Sequence, residues 1–198
     1  MPTTLLSGIG LSSAAGLNAY FPLITLALAD RISSSFNLPG PYDFISSNIG
    51  IVLILMVMAL ELIGDKIPRI DHFNDMVHTP IRPLVGAFSF MAVSAESGDL
   101  NVWVAGVLGL AIAGGVHYWK MTHRPHVTVA TKGIGNPILS LQEDVAAIAL
   151  CLVSVIWPWA NLLLVPLLLW WIYRATGRMI SGKSSLMNVL LQKKPVTQ

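Results

Sequence analysis

LLSGIGLSSAAGLNAYFPLITLALA, from Leu5 to Ala29, contains no charged side chain. About 20 mostly apolar residues cross a bilayer's hydrocarbon core as a helix. The stretch is long enough, yet Gly8, Gly10, Gly16, Asn18 and Pro22 interrupt it. Its reading is a transmembrane segment that is kinked or broken, with Asn18 in need of a partner on another helix.

Working outward, further apolar stretches run from about Ile49 to Ile63, Pro80 to Ala95 and Val102 to Trp119. Ile138 to Tyr173 is too long for one helix and is divided by Trp157-Pro158-Trp159-Ala160-Asn161. Two tryptophans at a tight turn suit a membrane interface, where an indole keeps one wet edge. The expected fold is therefore an all-α integral membrane protein of about six transmembrane helices, some broken or kinked by Pro and Gly. Composition agrees: of 198 residues, 54% are hydrophobic and 11% charged, against about a quarter charged in soluble domains, and the mean hydropathy is +0.68. The Met-Pro-Thr-Thr start lacks the basic n-region of a cleaved signal peptide, so the first span is expected to be retained.

With the N-terminus placed in the cytoplasm, eleven of the 12 basic residues fall on the inner side: Lys66, Arg69, Arg82, Lys120, Arg124, Lys132, Arg174, Arg178, Lys183, Lys193 and Lys194. Arg31 alone lies outside. This division follows the positive-inside rule and predicts both termini in the cytoplasm, in an inner-membrane, multi-pass protein. Residues 1–178 form the transmembrane domain, and 179–198 a basic tail that can lie along the inner leaflet as an interfacial helix. The expected partner is the lipid bilayer, with a second copy or another membrane protein as further candidates. A net charge of +2 gives no basis for a nucleic-acid partner. Cys151, the one cysteine, reads as a small buried hydrophobe.

Thr79-Pro80 and Asn136-Pro137 each place a capping side chain before a proline and predict helix starts. Such N-termini can receive an anion, or Glu143 and Asp144 can complement the second one. Gly10, Gly16, Asn18 and Tyr20 recur as Gly109, Gly115, His117 and Trp119 at a constant offset, which admits a 3+3 inverted repeat of the kind transporters use. Close helix packing accounts for the same glycines.

Three segments could carry chemistry. Glu61 and Asp65 share a helical face about one turn inside the membrane, where a carboxylate is a functional hypothesis by default; Lys66, Arg69 and Arg82 are its candidate ion partners. Asp71, Asp75 and His78 would align on a short helix as ligands for zinc or another transition metal, although a solvated amphipathic connection with ordinary ion pairs is the favoured reading. His123-Arg-Pro-His126 reads as a charged loop. The last segment, Gly133 to Asp144, joins a glycine-rich turn to Asn136 and paired carboxylates, but lacks the Lys-Ser/Thr ending of a phosphate loop.

Gly16-Leu-Asn-Ala-Tyr-Phe-Pro-Leu, Asp-Lys-Ile-Pro-x-Ile-Asp-His-x-x-Asp-x-x-His-x-x-Ile-Arg-Pro at 65–83 and Gly-Asn-Pro-x-x-Ser-x-x-Glu-Asp at 135–144 together resemble the bacterial membrane family catalogued as domain of unknown function 4126. The likeness covers roughly residues 5 to 175. It implies a small multi-spanning inner-membrane protein and carries no activity with it.

The expected function is a transporter or lipid-translocating protein with a polar cavity open to the cytoplasm, formed by Asn18, Glu61, Asp65, Lys66, Arg82, His117, Asn136, Glu143 and Asp144. A structural or assembly protein is the alternative. An enzyme using Asp71, Asp75 and His78 with a metal is less favoured, since the Asp pattern of alcohol-phosphate transferases and the His/Ser/Arg set of lipid phosphatases are both missing.

Overall fold

The computed structural model describes the backbone of residues 1–64 and 71–192, with side chains except at 64, 71–75 and 179–192. Seven α-helices occupy these ranges: α1 (Pro2–Leu17), α2 (Tyr20–Ile32), α3 (Asn48–Gly64), α4 (Asp71–Ser97), α5 (Val102–Thr131), α6 (Asn136–Ile156) and α7 (Asn161–Gln192). Short 3-10 turns cover Tyr42–Ser46 and Pro158–Ala160, the latter at the expected Trp-Pro-Trp turn. No strand occurs among the described residues.

The predicted first span is two helices. In an unbroken helix the nitrogen of Pro22 would face the Asn18 carbonyl, but proline has no N–H to donate and its ring clashes there. Asn18 accordingly adopts an extended backbone, φ −146 and ψ 122. The two halves then run in opposite directions. Thr4, early in α1, bonds Ser97 and Asp99 at the far end of α4, both at 3.1 Å. At the other end of α1, Leu17 and Asn18 reach Lys120 and Asp144. Beyond α2, Phe36 returns to line a cavity with Thr3, Thr4 and Glu96.

This hairpin changes the expected topology. The start of α1 lies at the pole of the 98–101 connection, whereas α7 begins at that pole, where Asn161 Nδ2 donates to the Leu6 carbonyl (3.1 Å), and runs away from it to Tyr173 beside His123. The beginning of the chain and the basic end of α7 are therefore at opposite poles, not on one side as predicted. The helix that carries the alternative inverted repeat also differs: α5 continues unbroken through His117 and Trp119 to Thr131, where α1 stops.

Other expectations shift at prolines. Pro80 and Pro83 lie inside α4 rather than at its start, and the Thr79 hydroxyl, read as a cap, faces His117 (3.2 Å) instead. Pro125 lies inside α5, so the predicted loop at 123–126 is helical. Around it Thr122 and His123 donate to the Trp119 carbonyl, His126 to Thr122 and Thr128 to Arg124, at 2.8–3.0 Å. Polar side chains thus serve the carbonyls around a proline turn. α6 starts beside Pro137 as predicted, but Gly135 rather than Asn136 is the cap and no side chain caps the helix; Asn136 is its first residue, and its amide bonds Thr128 Oγ1 (2.9 Å) instead. Lys132 and Gly133, both left-handed, close α5.

α1 is the centre of the bundle and packs on α4, α5, α6 and α7. α4 and α5 approach at paired glycines: a Cβ on Gly109 would stand 2.4 Å from the Gly86 carbonyl, and one on Gly86 2.3 Å from the Ala113 Cβ. Val102–Thr131 and Asn136–Ile156 are long and apolar enough to cross a membrane, and Asn48–Ile63 is apolar but shorter.

Two outcomes follow. In a Cys151→Ala background, Thr4→Cys and Ser97→Cys form a disulfide under mild oxidation, while Thr4→Cys with Lys132→Cys does not; the reverse pattern on a gel would contradict the hairpin. Gly109→Val overpacks the α4–α5 contact and lowers stability by about 1–3 kcal/mol, read as a lower melting temperature in detergent.

Candidate functional site

The buried faces of three helices turn from small or apolar to ionisable residues towards the pole opposite Asp99. On α5 the face Ala105, Gly109, Ala113 and Val116 continues as His117, Lys120 and Arg124, all buried. At 1.5 Å per residue, His117 stands about 22 Å along α5 from its first residue, Val102. His78 and Arg82 extend the buried face of α4, and Glu143 and Asp144 that of α6.

The first cluster ties α3 to α4 and α5. Arg82, with no exposed surface, donates from Nη2 to Glu61 Oε1 (2.8 Å) and contacts His117 Nδ1 from Nη1 (3.0 Å). A guanidinium only donates, so His117 Nδ1 must accept. His117 is then neutral, with its proton on Nε2 facing the Thr79 hydroxyl. His78 Nε2 stands 3.7 Å from Glu61 Oε1 and 3.4 Å from the Tyr20 hydroxyl. The other Glu61 oxygen, Oε2, is buried without a hydrogen bond among the described residues.

The second cluster holds the hairpin tip. Lys120 Nζ donates to the Leu17 carbonyl (2.8 Å) and lies 3.2 Å from Glu143 Oε2, which also accepts from Arg124 Nη2 (2.6 Å). Asn18 Nδ2 donates to Asp144 Oδ1 (3.3 Å), while Asn18 Oδ1 accepts from the Tyr20 N–H at the start of α2 (3.1 Å). The ammonium at the C-terminus of α1 and the carboxylate beside the N-terminus of α2 each oppose the local helix dipole. Arg82, Lys120 and Arg124 against Glu61, Glu143 and Asp144 balance in charge.

The structure thus gathers Glu61, Arg82, His117 and His78 into one group, and Asn18, Glu143 and Asp144 into another. Asn136 is buried against Thr128, whose hydroxyl also donates to the Arg124 carbonyl (3.0 Å). Asp65 and Lys66 fall outside the described residues, as do the side chains of Asp71 and Asp75, the proposed metal ligands; His78, the third, faces Tyr20 and Glu61. Glu143 and Asp144 lie two turns into α6, where they pair with buried cations and Asn18. Tyr20, Thr79, Lys120 and Arg124 are additions that sequence reading missed. For the last two the signal was present: their spacing continues the small-residue face of α5.

The sequence model of the family described as domain of unknown function (DUF4126) matches residues 5–178. No curated protein and no solved structure matches the chain.

Glu143 anchors two buried cations. Removing one partner of a buried pair costs about 3–5 kcal/mol, so Glu143→Gln is expected to lower the melting temperature markedly, and Glu143→Asp less. An unchanged melting temperature for Glu143→Gln would remove this carboxylate from the fold's support.

Proposed function

The chain belongs to the DUF4126 family, and we propose that it is a small membrane carrier of a polar solute or lipid head group, working at the buried charges around the hairpin tip. The observation that carries this reading is the meeting of a broken helix with ionisable side chains from α3, α4, α5 and α6. Non-helical backbone at membrane depth is tolerated where protein buries it or where it lines a cavity, and half-helix ends at the midplane form binding sites in transporters.

The membrane is supported by an inside-out distribution. Leu60, Leu84, Val107 and Leu163 face outward with 60–75% of their surface exposed, while Glu61, Arg82, Lys120 and Glu143 point inward. Lipid is the medium that tolerates such an exterior. In this reading seven segments cross or enter the inner membrane, the start of α1 faces outward, and the basic end of α7 is cytoplasmic by the positive-inside rule.

Glu61 is the proposed moving part. α3 exposes Ile49, Val52, Leu53, Met56, Leu60 and Ile63; it touches α2, the 42–46 turn and α4, the last through Glu61. Protonating Glu61 would remove the charge that holds Arg82 and release the inner end of α3. Oε2 offers the carboxylate a place to take that proton, or to accept from a ligand donor. The clusters are closed to solvent here, so α3 must move for a ligand to enter.

A structural role is the second reading, favoured because opposite charges already pair within 3.2 Å. Proteoliposomes separate the two. Currents on a supported membrane, over a panel of small polar solutes, and flipping of fluorescent anionic and zwitterionic lipids would be measured for wild type and for Glu61→Gln with Arg82→Gln. The double variant keeps the pair neutral and hydrogen-bonded, so it is expected to fold but not to transport. Transport at the wild-type rate would exclude Glu61; no transport by the folded wild-type protein over the panel would favour the structural role.

A further inference from the structure

α5 and α7 leave a groove of about 390 Å³ between them, lined by Gly115, Val116, Trp119, Leu169, Trp170 and Tyr173. It opens on the side of α5 away from the buried charges. Gly115 makes it: a Cβ there would meet nothing within 4 Å, so the missing side chain is space that no neighbour fills. The walls are apolar and aromatic, and their polar end has one sign. The exposed Arg174 guanidinium lies 5.5 Å from the centre of the Trp170 ring, within cation–π range. Exposed Arg178 follows one turn later. His123 stacks on Trp119 at 4.8 Å and meets Tyr173 edge-on at 6.4 Å. Neither α5 nor α7 contains an acidic residue.

We infer that this groove is a binding site for an anionic phospholipid, with an acyl chain along Gly115, Val116 and Leu169 and the phosphate at Arg174. The inference rests on the membrane reading above but not on transport. Three independent features select this occupant. The groove is elongated in chemistry from apolar to cationic, matching a chain joined to an anion. Its aromatic residues stand about 25 Å from the outer end of α5, near the inner edge of a layer about 30 Å thick, where tryptophan and tyrosine settle. The cations at that edge have no carboxylate on either helix to compete for them, and a guanidinium fits a phosphate with paired donors. A zwitterionic lipid would carry its own cation into this field.

The test uses the full chain in mild detergent, with phosphatidylglycerol and phosphatidylcholine of the same acyl composition, and native mass spectrometry to count retained lipid. Wild type is expected to retain phosphatidylglycerol about fivefold over phosphatidylcholine for each basic residue engaged. Arg174→Gln should lose most of that preference while still binding lipid. Gly115→Leu, whose side chain enters open space, should lose retention of both lipids without lowering the melting temperature. Equal retention of the two lipids by wild type, or unchanged retention in folded Gly115→Leu, would overturn the site. Displacement by inorganic phosphate at low millimolar concentration would also overturn it, by marking a simple anion site. Partition of the expressed chain after a carbonate wash is read separately: release into the soluble fraction would refute the membrane reading itself, whereas retention with no lipid preference would refute only this site.

Discussion

The carbonyl of Leu17, left without a helical donor where α1 ends inside the bundle, is held by the ammonium of Lys120, and much of the architecture follows from that contact. An unpaired carbonyl buried there would cost several kcal/mol. So would an unpaired ammonium, and the two are satisfied together. Lys120 then requires Glu143, Glu143 draws in Arg124, and Asn18 binds Asp144 next door. The chain turns back at Asn18 because Pro22 denies its carbonyl a donor, and the turn is affordable only inside this polar shell.

The charges are arranged so that no helix carries its partners alone. Glu61 comes from α3, Arg82 from α4, His117, Lys120 and Arg124 from α5, and Glu143 and Asp144 from α6. Buried ion pairs add little stability over apolar packing, but losing one member is costly. Such a network therefore fixes which helices must be neighbours. Glu61 is its member on the least covered helix, since α3 exposes most of its apolar length and is tied to α4 at this end through Arg82.

The sequence made the helical class legible through long apolar runs, the break through Asn18 and Pro22, and the turn at 157–161 through its proline between tryptophans. Half of the site was legible too, because Glu61, Arg82, His117, Glu143 and Asp144 are costly in an apolar chain wherever they fall. The direction of α2 was not legible. A kinked span and a hairpin have the same composition, and distant contacts distinguish them: Thr4 with Ser97 and Asp99, and Phe36 back beside Thr3 and Thr4. Pro80 and Pro125 misled for a related reason. Read locally each proline ends a helix, whereas packing against neighbours, and side chains such as Thr122 and His126 on nearby carbonyls, carry the helix through. Lys120 and Arg124 were taken for loop cations because the helix was expected to stop at Trp119; continued by two turns, the same spacing places both inside.

The central claim is that Lys120 and its partners keep the hairpin tip inside the protein. Its most direct test is the reactivity of a cysteine at Ala19, which is fully buried, towards a small membrane-permeant maleimide, in a Cys151→Ser background with and without Lys120→Met. The account predicts no labelling while Lys120 is present and rapid labelling of the still helical protein when it is replaced. Labelling at the same rate in both backgrounds would contradict it, as would protection in both.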